Sequence, residues 1–104
     1  MSGFHGLVRD FIGADNTALV LVAANGTEST NSGGDARSDT LRLKREGQGV
    51  HADADGTITL VSPEGTIKTF TVKAGGYYPY RYVQTRATDT SLAATEIGIL
   101  YLPY

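Results

Sequence analysis

From Thr40 onward, apolar and polar residues alternate along several short stretches of the chain. A period of two places every second side chain on the same face of a β-strand, so each stretch is predicted to be a strand with one buried face. The alternating apolar pairs are Leu41 and Leu43, Ile58 and Leu60, and Phe70 and Val72. The continuous apolar run over 18–24 is typical of a strand buried on both faces, and 95–102 is predicted to form the last strand.

The segment Ser62-Pro63-Glu64-Gly65 separates two of these stretches and carries a specific turn signal. The proline ring fixes φ near about −65°, and the glycine is free to adopt positive φ. Because alternating residues flank this turn on both sides, residues 57–73 are predicted to form a β-hairpin.

A strand rich in tyrosine is predicted over 77–83, after the turn Ala74-Gly75-Gly76. Pro79 lacks a backbone N–H and cannot donate to a central ladder, so it belongs at a sheet edge, at a strand start or at a bulge. Together the signals mark about six short antiparallel strands with regularly spaced turns. They predict an all-β fold, a compact sandwich or a small barrel, for a single domain over 18–104.

Two segments lack this alternation. Residues 1–17 carry apolar side chains at helical spacing among several glycines, and they are predicted to be an N-terminal arm or a short helical turn that covers a sheet edge or reaches a neighbour. Residues 25–39 are rich in Gly, Ser, Thr and Asn and are predicted to form a flexible surface loop, either a functional tip or a mobile linker.

Charge and composition exclude several classes of partner. Nine basic and eleven acidic residues are mixed along the chain, so no surface suited to a phosphate backbone is expected, and no nucleic-acid partner. The chain has no cysteine, which excludes disulfides and thiolate zinc sites. The apolar run over 18–24 is too short to span a bilayer, and residues 1–6 do not resemble a signal peptide. We therefore expect no membrane partner and synthesis in the cytoplasm.

One segment, His51-Ala52-Asp53-Ala54-Asp55-Gly56-Thr57-Ile58, partly matches an EF-hand calcium loop. The match places histidine at the first ligand position and Ser62 at the twelfth, where a bidentate glutamate is needed. The flanking residues are strand-like, whereas an EF-hand needs helices. An ordinary turn before the next strand is therefore favoured over a metal site.

Candidate catalytic and cofactor motifs are equally weak. Gly47-Gln48-Gly49-Val50-His51-Ala52 matches only the loosest dinucleotide fingerprint and lacks the following helix. The chain has two histidines, and its sequence shows neither a nucleophile elbow nor a P-loop. Carboxylate pairs such as Glu28 with Asp35 are scattered on predicted loops. We expect a protein that is not an enzyme, with no catalytic residues, no cofactor and no metal.

All six tyrosines lie between Tyr77 and Tyr104. They could form a carbohydrate-stacking surface, although tryptophan usually leads there, or they could pack in the core with the hydroxyl at a wet rim. A subunit interface is favoured, because Tyr and Arg occupy both faces of the predicted strand. The candidate interface residues are Tyr78, Tyr80, Arg81, Tyr82, Tyr101, Leu102, Pro103 and Tyr104.

Residues 41–104 carry a series of short motifs. In chain order these are Gly56-x-Ile58-x-Leu60, Gly65, Phe70-x-Val72-x-Ala74-Gly75, Pro79-x-Arg81 and Ala87-Thr88-x-Thr90-x-x-Ala93-x-x-Glu96-Ile97. This series resembles the small spike-base and head-decoration proteins of gene transfer agents and related tailed phages. The chain departs from that pattern in its Leu100-Tyr101-Leu102-Pro103-Tyr104 end and in its longer loop over 25–39.

The resemblance implies a structural protein on a virion head, either a capsid decoration (cement) subunit or the base of a head spike. It implies a homo-oligomer on the head surface, made in the cytoplasm of a bacterial host. Its partners would be the major capsid protein, further copies of the chain and, where present, a head fibre protein. The alternative function is a small carbohydrate-binding or host-recognition module that uses the tyrosines and the polar loop.

Overall fold

The computed structural model of the chain describes residues 8–11, 19–31, 36–44 and 46–101. The strands, in chain order, are β1 (Val8–Phe11), β2 (Leu19–Val22), β3 (Glu28–Asn31), β4 (Arg42–Leu43), β5 (Gly47–Ala52), β6 (Gly56–Val61), β7 (Ile67–Val72), β8 (Tyr77–Tyr82), β9 (Gln84–Arg86) and β10 (Ile97–Tyr101). A 3₁₀ turn at Ala94–Glu96 precedes β10. Among these residues, no helix is long and apolar enough to cross a membrane.

The strands form three small antiparallel sheets, which confirms the all-β prediction. Sheet A has the strand order β1-β10-β5-β8, sheet B the order β3-β2-β4, and sheet C the order β7-β6-β9. The described residues hold four strands that the alternation does not predict, β1, β3, β5 and β9. Strand β9 is only three residues long, which is too short to display a period.

The β6–β7 hairpin confirms the turn predicted from Ser62-Pro63-Glu64-Gly65. Its register runs from Gly56 opposite Val72 to Val61 opposite Ile67. In the turn, the Gly65 N–H donates to the Ser62 carbonyl at 2.9 Å, and Gly65 has a φ of 92°. A side chain at this left-handed position would strain the backbone, so glycine is required there.

The prediction of a surface loop over 25–39 is wrong for two of its parts. Glu28–Asn31 is strand β3 and pairs with β2, although its polar sequence gives no apolar period. Ala36 is fully buried, and Arg37 forms an isolated bridge with Thr85. Backbone pairing, which sequence patterns do not report, therefore orders residues that composition marks as loop.

The N-terminal segment is described only at β1, which is extended and lies antiparallel to β10 with Val8 opposite Tyr101. For these four residues the helical-turn alternative is wrong. The strand covers the edge of β10, as the arm was expected to do for a sheet edge. The rest of the predicted arm, residues 1–7 and 12–17, lies outside the described residues.

All three sheets contribute to one hydrophobic core. Sheet B provides Leu21 and Leu43, which are 4 % and 7 % exposed. The side chains that fill the centre from sheets A and C are Val50, Ala52, Ile58, Leu60, Val72, Tyr82, Ile97 and Ile99, with Leu92 from the loop before β10. Sheet B contacts the link between sheets A and C, because the Leu43 N–H donates at 2.7 Å to the carbonyl of Val83, which lies between β8 and β9. The sheets therefore depend on one another for burial.

Candidate subunit interface

Tyr82, at the end of β8, is the largest side chain that is fully buried. Its ring lies against Gly47, its register partner on β5, at a place where a Cβ would overlap the ring. Its hydroxyl donates to the Gly49 carbonyl at 2.8 Å, and burial raises the pKa of the phenol. The Gly47-Gln48-Gly49 pattern is therefore a packing feature of a strand, in which Gly47 leaves room for an aromatic ring and Gly49 accepts from its hydroxyl.

Tyr78 and Tyr80 are half-buried, share a face with Tyr82 and pack against the core. The Tyr78 hydroxyl accepts the Lys73 N–H at 2.8 Å, and the Tyr80 ring meets Phe70 of β7 edge-on, with centroids 5.0 Å apart. The shared face predicted for these three tyrosines is thus turned toward the core. This arrangement matches the alternative in which alternate tyrosines pack inside.

The opposite face of β8 is exposed and presents Tyr77, Pro79 and Arg81. Tyr77 is 45 % exposed, and its ring lies 4.5 Å from the ring of His51. Pro79 occupies an edge strand next to a register shift between β5 and β8, in agreement with the prediction from its missing N–H. We name the exposed side chains of Tyr77, Pro79 and Arg81 the β8 outer face.

Arg81 forms a bidentate ion pair with Glu46. Its Nε lies 2.6 Å from Glu46 Oε1 and its Nη2 lies 3.2 Å from Oε2. The pair lowers the pKa of the Glu46 carboxyl and raises the pKa of the guanidinium. Gln48 also donates to Glu46 Oε1, at 3.2 Å. The pair joins the end of β8 to the start of β5 and orients an arginine that remains exposed at the surface.

The candidate interface residues therefore lie in different surroundings. Tyr82 has no exposed surface, and Tyr78 and Tyr80 are half-buried, so Arg81 is the exposed member on β8. Tyr101 ends β10 opposite Val8. Residues 102–104 lie outside the described part of the chain. Tyr77 and Pro79, which alternate with Arg81 on the same exposed face, are not among the predicted interface residues. The interface itself stays a prediction.

The calcium-like segment is a crossing between sheets A and C. His51 Nδ1 lies 3.1 Å from Asp53 Oδ1. The carboxylate of Asp55 accepts the Ala74 N–H at 2.8 Å, and its other oxygen lies 3.9 Å from Lys73 Nζ. Within the described ranges, no group of three or more His, Cys, Asp or Glu side chains could hold a metal ion. The acidic residues here stabilise turns.

The polar loop over 87–91 covers sheet C and is fixed by long-range hydrogen bonds. Asp39 accepts from the Thr88 N–H at 3.0 Å and from its hydroxyl at 2.7 Å, and these bonds lower the pKa of Asp39. The Thr90 hydroxyl accepts the Thr59 N–H at 3.0 Å. The Asp89 carbonyl accepts both Thr57 and Thr59 hydroxyls, at 2.9 and 3.1 Å. The Ala87-Thr88-x-Thr90 motif therefore has a structural role.

Comparison with known proteins finds a structural similarity to a gene transfer agent particle. No model of a known protein family matches the chain, and no curated protein matches it either. Among solved structures, the chain is similar to one from the capsid of a native gene transfer agent particle computed with C5 symmetry. The two are 28 % identical with a TM-score of 0.53, over 62 % of this chain and 73 % of that chain. This likeness supports a phage-like virion structural role.

Proposed function

We propose that the chain is a structural subunit on the head of a phage-like particle, either a capsid decoration subunit or the base of a head spike. The observation that carries the proposal is the likeness to a gene transfer agent capsid chain, at 28 % identity and a TM-score of 0.53. Its partners are the major capsid protein, further copies of itself and a head fibre protein. Its location is the outer surface of the head, and its role is structural and not enzymatic.

The segments that resemble spike-base and head-decoration proteins make specific contacts within the domain. The resemblance runs through the β6–β7 hairpin, Pro79-x-Arg81 and the Ala87-Thr88-x-Thr90 motif. Thr88 and Thr90 fix the loop over sheet C, and Arg81 is anchored by Glu46. Motifs with such specific contacts are expected to preserve the shape of the domain.

The β8 outer face is the surface we assign to contact with the capsid. It combines an exposed tyrosine ring, a proline and an oriented arginine, and tyrosine and arginine are enriched among the residues that dominate the energetics of protein interfaces. The Arg81–Glu46 pair holds the guanidinium in place before binding, which lowers the entropy lost on association.

Co-sedimentation with purified empty heads of a matching phage-like particle tests the proposal. We expect the purified chain to sediment with the heads and to saturate at a fixed number of copies per head. A chain that stays in the supernatant at concentrations far above the number of sites contradicts the proposed function. A glycan array run in parallel examines the alternative, since selective glycan binding without head binding favours a recognition module.

Two arginine variants test the assigned surface separately. Arg81→Ala removes the oriented guanidinium, and Arg42→Ala removes an exposed arginine on β4 as the matched control. If Arg81 is an interface anchor, its loss weakens head binding by about tenfold or more, whereas the control binds as the native chain does. Equal binding by both variants leaves the function standing and moves the contact away from the β8 outer face.

A further inference from the structure

Strand β7 forms one end of sheet C, with one side paired to β6. In the part of the chain that the structure describes, no strand pairs with its outer side. Four of its six residues are exposed, and Ile67 is 55 % exposed, more than any other large apolar residue described. An open edge of this length without proline is a template for another strand, and Lys68 is its single charged side chain.

The phase of the hairpin ladder shows which backbone groups face outward. The Ser62 N–H donates to the Thr66 carbonyl at 2.9 Å, so these residues form a hydrogen-bonded pair. In an antiparallel ladder, such pairs alternate with pairs whose N–H and C=O groups point away from each other. The residues of β7 whose backbone groups therefore point away from β6 are Ile67, Thr69 and Thr71.

The hydrogen bonds made by β6, the other strand of the hairpin, lead to the same assignment. The Thr57 carbonyl accepts the Ser91 N–H at 3.0 Å, and the Val61 carbonyl accepts the Val83 N–H at 2.8 Å. Thr57 and Val61 therefore direct their backbone groups away from β7, as residues opposite Thr71 and Ile67 must do. The outward groups of β7 are thus assigned from both strands.

The other described sheet ends are less suited to pairing. On β8, Pro79 interrupts the edge with a position that has no N–H. The outer side of β9 is occupied, because the Ser38 N–H donates to the Thr85 carbonyl at 2.8 Å and Arg37 bridges to Thr85. Strand β4 has two residues, and β1 and β3 have four each.

We propose that the outer edge of β7 pairs antiparallel with β7 of a second copy of this chain, with Thr69 opposite Thr69 across a two-fold axis. In this register Ile67 of each copy lies opposite Thr71 of the other, and Lys68 lies opposite Phe70. Pairs of β-branched residues and pairs of an aromatic ring with a cation both stabilise neighbouring strands. The contact is isologous and closes as a dimer.

Charge disfavours another register of this pairing. Sliding one strand so that Lys68 faces Lys68 would place like charges directly opposite, which is destabilising. In the chain itself, Lys68 Nζ already lies 5.1 Å from the centre of the Phe70 ring. The proposed register brings each lysine next to a second ring of the same kind, so the strand is complementary to itself.

Charge-exchange variants of the facing pair test the register. Ile67→Lys with Thr71→Lys places like charges opposite each other at both symmetric positions, whereas Ile67→Lys with Thr71→Glu places opposite charges there. Both positions are exposed, and within one copy they lie four residues apart on the same strand. Thermal unfolding of each variant at low concentration therefore serves as the control for an intact fold.

Light scattering across a concentration range gives the readout, together with amide exchange at Thr69 and Thr71. We expect the native chain to reach a dimer mass and to slow both amides as concentration rises. The double-lysine variant should dimerise about tenfold or more weakly than the lysine–glutamate variant. Native chain that remains monomeric into the millimolar range overturns the proposal and leaves this edge to a strand from another protein. Equal dimerisation by the two variants also overturns it.

The proposed function names further copies of the chain among its partners, but the two proposals are tested separately. The test of the β7 contact uses the purified chain alone, whereas the function is tested with heads. A monomeric chain that still saturates heads would overturn the β7 contact and support the function, and a dimer that ignores heads would do the reverse.

Discussion

The packing of Tyr82 against Gly47 provides a sharp test of how sheet A is built, through the variant Gly47→Ala. A Cβ at position 47 would overlap the Tyr82 ring, and both residues are buried. The ring has no free space to move into, because its hydroxyl donates to the Gly49 carbonyl at 2.8 Å and its exposure is 0 %. Either the β5–β8 pairing must open or the tyrosine must leave its position.

The loss in the free energy of unfolding can be estimated from these two structural responses. Inserting a methyl group into a well-packed core costs about 1–3 kcal/mol. If the ring is displaced, the buried hydrogen bond is lost as well, at about 1 kcal/mol. We therefore expect the free energy of unfolding to fall by about 2–4 kcal/mol, a large share of the roughly 5–15 kcal/mol typical of a domain.

Urea unfolding followed by circular dichroism measures this loss, and a double-mutant cycle isolates its cause. Tyr82→Ala removes the ring and is destabilising alone, by about 3–5 kcal/mol. On that background Gly47→Ala should cost little, because the obstacle is gone, and the coupling should be at least about 1 kcal/mol. A loss below about 0.5 kcal/mol for the single variant, or full additivity in the cycle, would refute the packing argument.

Two further predictions concern individual hydrogen bonds. Tyr82→Phe keeps the ring and removes only the bond to Gly49, so urea unfolding should show a loss of about 1 kcal/mol, and an unchanged midpoint would mean that the hydroxyl contributes nothing. The Asp39 carboxylate has a lowered pKa in the fold, so its stabilising effect is full above its ordinary pKa of 3.8 and is lost as pH falls through the lowered folded-state value. In the native chain, residues 87–91 should therefore loosen as the pH falls, whereas the Asp39→Asn variant should not show this dependence on pH. Amide exchange at Thr88, measured between neutral and acidic pH, reports the loosening. Identical pH profiles for the native chain and the variant would contradict this role.

Local features of the fold could be predicted from the sequence. The β6–β7 hairpin is specified by four consecutive turn residues and by the alternation on each side, so all of its information is contiguous. The edge position of Pro79 follows from the chemistry of one residue. The β8 faces follow from alternation alone, which correctly separates Tyr78 and Tyr80 from Tyr77 and Arg81.

Features that depend on distant residues could not be predicted. Asp39 and Thr88 are 49 residues apart in the chain, and no pattern in either segment indicates that they meet. Gly47 and Tyr82 are also far apart in the chain. The spacing of Gly47 and Gly49 resembles a weak dinucleotide motif, and the sequence does not show that Gly47 packs against the Tyr82 ring. Strand β3 is polar because only its backbone is needed for pairing, so composition alone marked it as loop.

The candidate interface could also be predicted only in part from the sequence. The sequence left core packing, a carbohydrate surface and a subunit interface open for the tyrosines, and only tertiary packing shows that Tyr82 belongs to the core while Tyr77 is exposed. The sequence also placed Arg81 on the surface, and its anchoring by Glu46 depends on the β5–β8 register. Exposure could be predicted here, whereas orientation could not.

Electron cryo-microscopy of heads incubated with an excess of the purified chain most directly tests a structural role on a phage-like head. We expect additional density on the outer surface, repeated at symmetry-related positions, into which the three-sheet domain fits with one face against the shell. Heads that show no additional density at saturating concentration, or chain bound without order, would contradict that role.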